Sequence, residues 1–221
     1  MDLKQAIEER HSIRSYTDQR IEGETLEKLN AELKKLNDES GLNMQLVINE
    51  PKAFGGAAAH YGKFSGVRNY VAVVGKKTAD LQEKCGYYGE KFVLYAQTLG
   101  LNTCWVALTY SKISGAFEVK AGEKLLLVIA IGYGAAEGRK QKSKTLEQVT
   151  SGDLKNAPEW FFNGVKAALK APTALNQQKF IFSYNDGNVT ARAKPAFYAK
   201  TDIGIAICHF EIGSGVKIFD K

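Results

Sequence analysis

Cysteine is scarce in this chain of 221 residues, and its three copies, Cys85, Cys104 and Cys208, are an odd number with no Cys-x-x-Cys pair. A disulfide framework is therefore not expected, and reduced, buried thiols are. Histidine is equally rare: His11, His60 and His209 are scattered without metal-ligand spacing, so no metal site is predicted. No apolar run reaches the roughly 18 residues of a membrane span. The longest candidate, Leu125 to Ile131, is only strand-sized. No basic-then-apolar leader follows Met1, which makes the cytoplasm the expected compartment. A Gly-x-Gly-x-x-Gly run is also missing, so a dinucleotide site of the Rossmann type is not expected.

What remains has the composition of an ordinary globular protein, 44% hydrophobic and 24% charged. The length suffices for one large domain or for two small, intimately packed halves. A net charge of +6 invites a nucleic-acid partner, because phosphate backbones recruit Lys and Arg. Yet the positive residues are spread, apart from Arg139-Lys140-Gln141-Lys142-Ser143-Lys144. One short basic run is more often a solvated loop, or part of a single phosphate site, than a duplex-binding face. No nucleic-acid partner is predicted, and a basic nucleic-acid-binding domain stays the weaker alternative.

The richest stretch is Arg10-His11-Ser12-Ile13-Arg14-Ser15-Tyr16. Before it, Asp2 is placed to cap a short helix, with Gln5 three positions on and Leu3, Ala6 and Ile7 marking its apolar face; the helix should end near Glu9 or Arg10. Two guanidiniums four residues apart then flank an imidazole and a hydroxyl. Arg presents a fixed fork of donors that suits phosphate oxygens, and Ser adds another donor. On charge alone the bland alternative is a solvated turn, since basic residues at helix ends are common for dipole reasons.

Further along, Leu26, Leu29, Leu33 and Leu36 recur at helical spacing, and Gly41 ends that helix. Asn43 to Ile48 reads as a strand, and Phe54-Gly55-Gly56-Ala57-Ala58-Ala59 as a mobile small-residue loop. Tyr70 to Val74 and Lys124 to Ile131 are continuous apolar strands. Between them lie a helix from about Thr78 to Leu99, where Gly86 and Gly89 permit close approach, and an extended run from Leu101 to Leu108. Polarity rises from Thr145 to Ala157 with a turn at Ser151-Gly152-Asp153, which sets the internal boundary: residues 1–150, then a shorter part, 151–221. In the second part Pro158 opens a helix with Trp160, Val165, Ala168 and Leu169 in its buried stripe. Two strands then flank the hairpin signal Asn185-Asp186-Gly187, Asp202 to Ile212 forms an apolar helix, and Val216 to Phe219 a terminal strand. The expected class is α+β, with a mixed or antiparallel sheet flanked by helices.

Ala171-Pro172-Thr173-Ala174-Leu175-Asn176-Gln177-Gln178 is the second stretch with chemical content. Pro172 fixes the exit from a helix, small residues let a flat ring approach the backbone, and Asn176 and Gln178 supply amides. A plain helix terminator explains Pro172 but has no need of both amides. In addition, Leu42-Asn43-Met44-Gln45-Leu46-Val47-Ile48 resembles Leu175-Asn176-Gln177-Gln178-Lys179-Phe180-Ile181, which suggests two related halves, with chance similarity the alternative over so short a stretch.

The Arg-His-Ser-x-Arg-x-aromatic opening resembles the N-terminal signature of the nitroreductase family of flavoproteins, and Ala-Pro-Thr-Ala-x-Asn-x-Gln is similar to that family's Ala-Pro-Ser-Ala-x-Asn-x-Gln motif. Leu99 to Trp105, Ile131-Gly132-Tyr133-Gly134 with Arg139 and Lys140, and Tyr198 to Phe210 look like further family segments. Thr173 replaces the usual Ser, Lys179 stands where Pro and an aromatic are usual, and Gly134 where Pro is common. The resemblance implies a nitroreductase-like fold of two related halves and FMN as cofactor. It implies a phosphate grip of Arg10, His11, Ser12, Arg14, Arg139 and Lys140. Ring contacts would come from Trp105, Val106, Ala107, Pro172, Thr173, Ala174, Asn176 and Gln178. The flavin then carries the chemistry, with no catalytic side chain, taking hydride from NADH or NADPH and passing electrons to a nitroaromatic, quinone or similar flat acceptor. The chain order is unusual, because the Ala-Pro-Thr motif comes late, and points to a tandem, pseudo-dimeric subfamily that is a monomer or a homodimer. A non-catalytic FMN-storage protein and a specialised flavin enzyme are the alternatives of the same fold.

Overall fold

Strands that are apolar at nearly every position, such as Tyr70 to Val74 and Leu125 to Ile131, read as strands covered on both faces. The structure is a computed structural model describing residues 1–136, 138 and 142–219. In chain order its elements are α1 (Leu3–Glu9), α2 (Gly23–Ser40), β1 (Gln45–Val47), α3 (Ala57–Tyr61), β2 (Tyr70–Lys76), α4 (Leu81–Thr98) and β3 (Asn102–Val106). They continue with β4 (Glu123–Gly132), α5 (Leu146–Val149), β5 (Thr150–Gly152), α6 (Glu159–Ala168), β6 (Phe180–Asn185), β7 (Asn188–Ala193) and α7 (Ala199–Ser214). The chain divides into two compact units. One holds Arg10–Leu81 and the described residues from 92 to 138; the other holds Asp2–Glu9, Gln82–Lys91 and the described residues from 142 to 219.

The first unit is built on an antiparallel sheet of order β1-β2-β4-β3, so the two apolar strands lie side by side at its centre. One face, with Tyr70, Ala72, Val74, Val128 and Ala130, joins Ile13, Tyr16, Phe54 and Phe64 in a continuous core. The other face, including Val71, Val73 and Ile129, is equally buried. α2 buries Leu29, Leu33 and Leu36 and ends where Gly41 turns left-handed, at φ 71°. Asn37 then clamps the entry to β1 by donating to the Met44 carbonyl and accepting the Met44 N–H.

The run from Phe54 to Ala59 is not the mobile loop expected. Its small residues coil into α3, while Phe54 is buried edge-on against Phe64, with ring centroids 5.1 Å apart. The aromatic anchor outweighs the local glycine content.

The second unit carries a sheet of order β5-β6-β7, with β5 and β6 parallel and β6 and β7 antiparallel. Asp186 and Gly187 take φ 48° and 81° at the tight turn that Asn185-Asp186-Gly187 predicts. α7 is buried without interruption from Thr201 to Glu211, the condition of a helix enclosed on all sides over those turns. Against it, Gly164 of α6 leaves no room for a Cβ beside the Phe210 ring, and Phe210 stacks on Phe182 at 4.8 Å. The buried stripe of α6 is Phe161, Gly164, Val165 and Ala168; Trp160, one position out of phase with Phe161, is only half-buried, which corrects the expected stripe.

Val216 to Phe219 is not a strand. Glu211 Oε1 accepts the Ile218 and Phe219 N–H groups at 2.7 Å each, and the Phe219 ring stacks on Tyr87. A carboxylate at the helix end thus supplies the acceptors that a neighbouring strand would have given.

Candidate functional site

Asp2 caps α1 as predicted, with the Gln5 N–H donating to Asp2 Oδ1 at 2.8 Å. Arg10 follows the helix immediately, and from there the first unit holds the segment as extended chain. Ser12 bridges Thr103 of β3, and Ile13 N–H donates to the Thr103 carbonyl at 3.0 Å. Tyr16 N–H donates to Ser65 O and Ser65 N–H to Arg14 O, while Thr17 N–H reaches Tyr133 O and Ala135 N–H reaches Ser15 O. The Tyr16 hydroxyl turns back to the Ile13 carbonyl at 2.7 Å, and burial pushes its pKa well above the ordinary tyrosine value. Ile13 and Tyr16 are the buried anchors.

Side-chain alternation along extended chain puts Arg10, Ser12 and Arg14 on a common face. All three act on the thiol of Cys104. Burial pushes that thiol up, while Arg14, Arg10 and a hydrogen bond from Ser12 pull it down, so all three groups lie within electrostatic reach of one sulfur. Arg14 also lies over the Phe64 ring at 5.8 Å. Gly138 lies so close to the His11 side chain that a Cβ there would collide with the imidazole. Of the remaining predicted positions in this unit, Val106 is the buried last residue of β3, and Trp105 and Ala107 beside it are half-buried. Arg139 and Lys140 lie outside the described residues.

The second unit holds the other motif in a different manner. Leu175, Asn176 and Gln178 all take left-handed backbone, at φ 53°, 52° and 46°. Three such residues among four non-glycines are strained, and the turn persists only because its surroundings over-determine it. Gln178 is 2% exposed. Its oxygen accepts the Lys144 N–H at 2.7 Å, and its amide nitrogen donates to Leu169 O at 2.7 Å and to Ser143 Oγ at 3.3 Å. Both donors of that amide are used, so Gln178 ties the turn to the body of the unit. Its own N–H donates to Thr173 Oγ1, which gives the hydroxyl kept in the Thr-for-Ser exchange a structural partner. Asn176 donates through Nδ2 to the Lys142 carbonyl at 2.7 Å. Pro172, Thr173 and Ala174 are half-buried, and Leu175 projects outward at 91% exposure.

Sequence reasoning passed over several contributors. Asp202, read only as a helix landmark, is buried and accepts from Ala174 N–H and Gln177 Nε2. An acid in the first turn of a strongly apolar helix was the available signal. Cys104 gave none beyond its rarity. Lys144, whose ammonium donates to the Gln178 carbonyl, has its pKa lowered by burial and then by Lys179 and Lys194. The basic run therefore reaches the turn through its last lysine.

The family model described as "Putative TM nitroreductase" matches residues 2–214. A putative nitroreductase from Thermotoga maritima superposes with a TM-score of 0.66 at 20% identity, covering 96% of this chain and 83% of the other. A putative NADH dehydrogenase/NAD(P)H nitroreductase from Bacteroides thetaiotaomicron superposes at 0.51 with 19% identity, over 66% of this chain and 95% of that one. A putative nitroreductase from Desulfovibrio desulfuricans, solved in complex with FMN, gives 0.49 at 19% identity, over 67% and 95%. No curated protein matches the chain in sequence. A model spanning nearly every residue, on an α+β fold shared with the T. maritima protein, decides the family: the chain is a member of the nitroreductases.

Proposed function

We propose that this protein is an FMN-dependent oxidoreductase that takes hydride from NADH or NADPH and reduces a nitroaromatic, a quinone or a similar flat acceptor. The observation that carries the reading is the backbone ladder that holds Arg10 to Tyr16 extended against β3, with Arg10, Ser12 and Arg14 alternating onto one face and all acting on the Cys104 thiol, in a chain whose family membership spans residues 2–214. Two guanidiniums and a hydroxyl held by a rigid backbone ladder form a donor set suited to a phosphate ester. In this reading Arg10 and Arg14, with Arg139 and Lys140, neutralise the FMN phosphate, and His11 completes the grip. Trp105, Val106 and Ala107 line the ring, and Pro172, Thr173 and Ala174 approach it from the late turn. Asn176 spends its nitrogen on Lys142; its carbonyl oxygen, which receives no hydrogen bond among the described residues, would be left to accept from a donor on the ring edge. Gln178 acts by holding the turn. The bound flavin supplies the redox chemistry, and the chain's residues bind it, orient it and stabilise its charge.

The reading includes two related halves, residues 1–150 and 151–221, that imitate a dimer within one chain, and a cytoplasmic location. A reciprocal helix contact supports the halves. A Cβ on Gly86 would strike the carbonyl of Thr201, three residues before Gly204, and a Cβ on Gly204 would strike the carbonyl of Glu83, three residues before Gly86. Such mutual packing is what a two-fold axis produces. With the segment that carries α3 taken as an insertion between β1 and β2, the element order also repeats, helix, strand, strand, helix, in α2-β1-β2-α4 and α6-β6-β7-α7.

The test is direct. Purified protein is expected to be yellow, to release FMN on denaturation and to oxidise NADH or NADPH when a quinone is added. FMN release without turnover would convert the reading to flavin storage, and colourless protein that FMN does not quench would end it.

A further inference from the structure

Asp202 accounts for what keeps the strained turn in place. It sits in the first turn of α7 at 3% exposure, where a lone carboxylate is costly. Both oxygens are committed: Oδ1 accepts the Ala174 N–H at 3.0 Å, and Oδ2 accepts Gln177 Nε2 at 2.8 Å. These two contacts bracket Leu175 and Asn176, the left-handed pair at the tip. Gln177 extends the link by donating from the same nitrogen to the Phe197 carbonyl at 2.6 Å.

We infer that Asp202 is the positioning residue of the flavin-facing turn, fixing Thr173 to Gln178 in their strained geometry through its ionised carboxylate. The inference rests on the FMN reading above for the identity of the ligand, though not for the contact itself. Both partners of the carboxylate are donors, so a proton on either oxygen sets an O–H against an N–H and breaks one of the two bonds. Ionisation is therefore the state that holds the turn, and acid is the state that releases it.

Burial raises the Asp202 pKa from 3.8 to about 6, against the opposing pull of the Gln177 and Ala174 hydrogen bonds. Other titratable groups stand on the elements around it: Tyr198 and Lys200 beside it on α7, Glu83 and Tyr87 on the α4 turn packed at Gly204, Lys166 on α6, Lys4 and Glu8 on α1, and Lys179 and Lys194 at the ends of the hairpin strands. None of these contributes to its shift, so the turn is governed by Asp202's own proton.

The test compares wild type, D202N and Q177A between pH 5 and pH 8. FMN affinity is measured by fluorescence quenching of apoprotein, and exchange of the Ala174 amide by hydrogen exchange on protein without flavin. Because the FMN phosphate itself titrates near pH 6, the informative quantity is the wild-type affinity divided by that of D202N, in which the phosphate effect cancels. Wild type is expected to bind FMN about tenfold more tightly than D202N at pH 7.5, with the ratio approaching one at pH 5. Ala174 exchange should quicken in wild type on acidification and be fast and pH-independent, after correction for intrinsic rates, in D202N. Gln177 is half-buried and lies outside α7, so Q177A folds even where a change in α7 does not; it should weaken FMN binding several-fold and keep the pH dependence. An affinity ratio that stays constant with pH, or slow Ala174 exchange in D202N, overturns the inference. Absence of FMN binding by wild type overturns the flavin reading instead, and the exchange data still decide whether Asp202 pins the turn.

Discussion

Backbone bonds hold the Arg10 to Tyr16 segment, whereas side chains hold the turn from Thr173 to Gln178. In the first, Ile13 donates its N–H to Thr103 of β3, Tyr16 to Ser65 and Thr17 to Tyr133, and the backbone stays in ordinary extended conformation. Holding the segment in place thus falls to the backbone, and Arg10, Ser12 and Arg14 all act on the Cys104 thiol. In the second, the backbone is left-handed at three positions, and Gln178, Gln177, Asn176 and Thr173 each spend a side-chain group on keeping it so. A ladder holds a segment at no cost to its side chains; a strained turn recruits them. Polar residues in similar-looking motifs therefore divide differently between ligand and scaffold.

The sharpest way to break this comparison is to remove the guanidiniums. Arg10→Ala with Arg14→Ala deletes two charge-assisted contacts to a phosphate, each worth roughly 1.5–3 kcal/mol, so FMN affinity should fall by about a hundredfold or more. The far-UV circular dichroism should stay that of wild type because the ladder is intact. Full flavin loading of the double mutant would remove the phosphate grip from this face. The converse change is Gln178→Leu, which leaves the Lys144 N–H and the Leu169 carbonyl without their partner. Its expected cost is about 2–5 kcal/mol of stability, read as a shift in urea midpoint at unchanged slope, with flavin loss only as a consequence. The first change should alter binding without stability, the second stability first.

That division was partly legible in the amino-acid sequence. Local signals carried well: Gly41 and Asp2 as caps and Asp186-Gly187 as the hairpin turn each depend on residues near in sequence or on a single conformational requirement. Signals that depend on a distant partner carried less well, Gly86 showing that a close approach was possible without showing that α7 makes it. Val216 to Phe219 has strand-forming residues, but no strand lies beside it and Glu211 supplies the acceptors. Phe54 lies among glycines and alanines, and the rings of Phe64, Tyr70 and Tyr110, from further along the chain, make it a core residue. In the site the types Arg-x-Ser-x-Arg were readable, while their common focus required Cys104, more than eighty residues away along the chain. Asp202 was visible as an acid in an apolar helix, but that it faces two donors on a preceding turn could not be read from its neighbours.

The acid also gives a stability test that sets the second region apart from the first. The folded pKa of Asp202, about 6, lies above its unfolded value of 3.8, so between those values the native state binds more protons than the unfolded one. Stability then falls as pH rises through that window and levels off above about pH 6. The shift corresponds to about 3 kcal/mol, an order-of-magnitude figure. Wild type should therefore lose stability relative to D202N by up to that amount between pH 4 and pH 7, measured by urea unfolding at each pH. A constant difference would mean that the carboxylate is not ionised at a cost. The charge that positions the turn is thus one that the fold bears reluctantly.

The smallest effect discriminates most finely, because it reverses the usual sign. Leu175 is 91% exposed at φ 53°, so its side chain contributes little burial while its backbone is strained by roughly 1–2 kcal/mol. Leu175→Gly removes that strain and adds roughly 0.5–1 kcal/mol of unfolded-state entropy, for a net gain of about 0.5 kcal/mol; Leu175→Ala keeps the strain and gains nothing. Glycine should therefore exceed alanine at this position in thermal midpoint. On the extended backbone of Ser12 the order should invert, since glycine there gives up conformational restriction with no strain to relieve. If glycine ranks below alanine at both positions, the left-handed turn is not a strained element held by its surroundings, and the contrast between ladder and turn loses its physical basis.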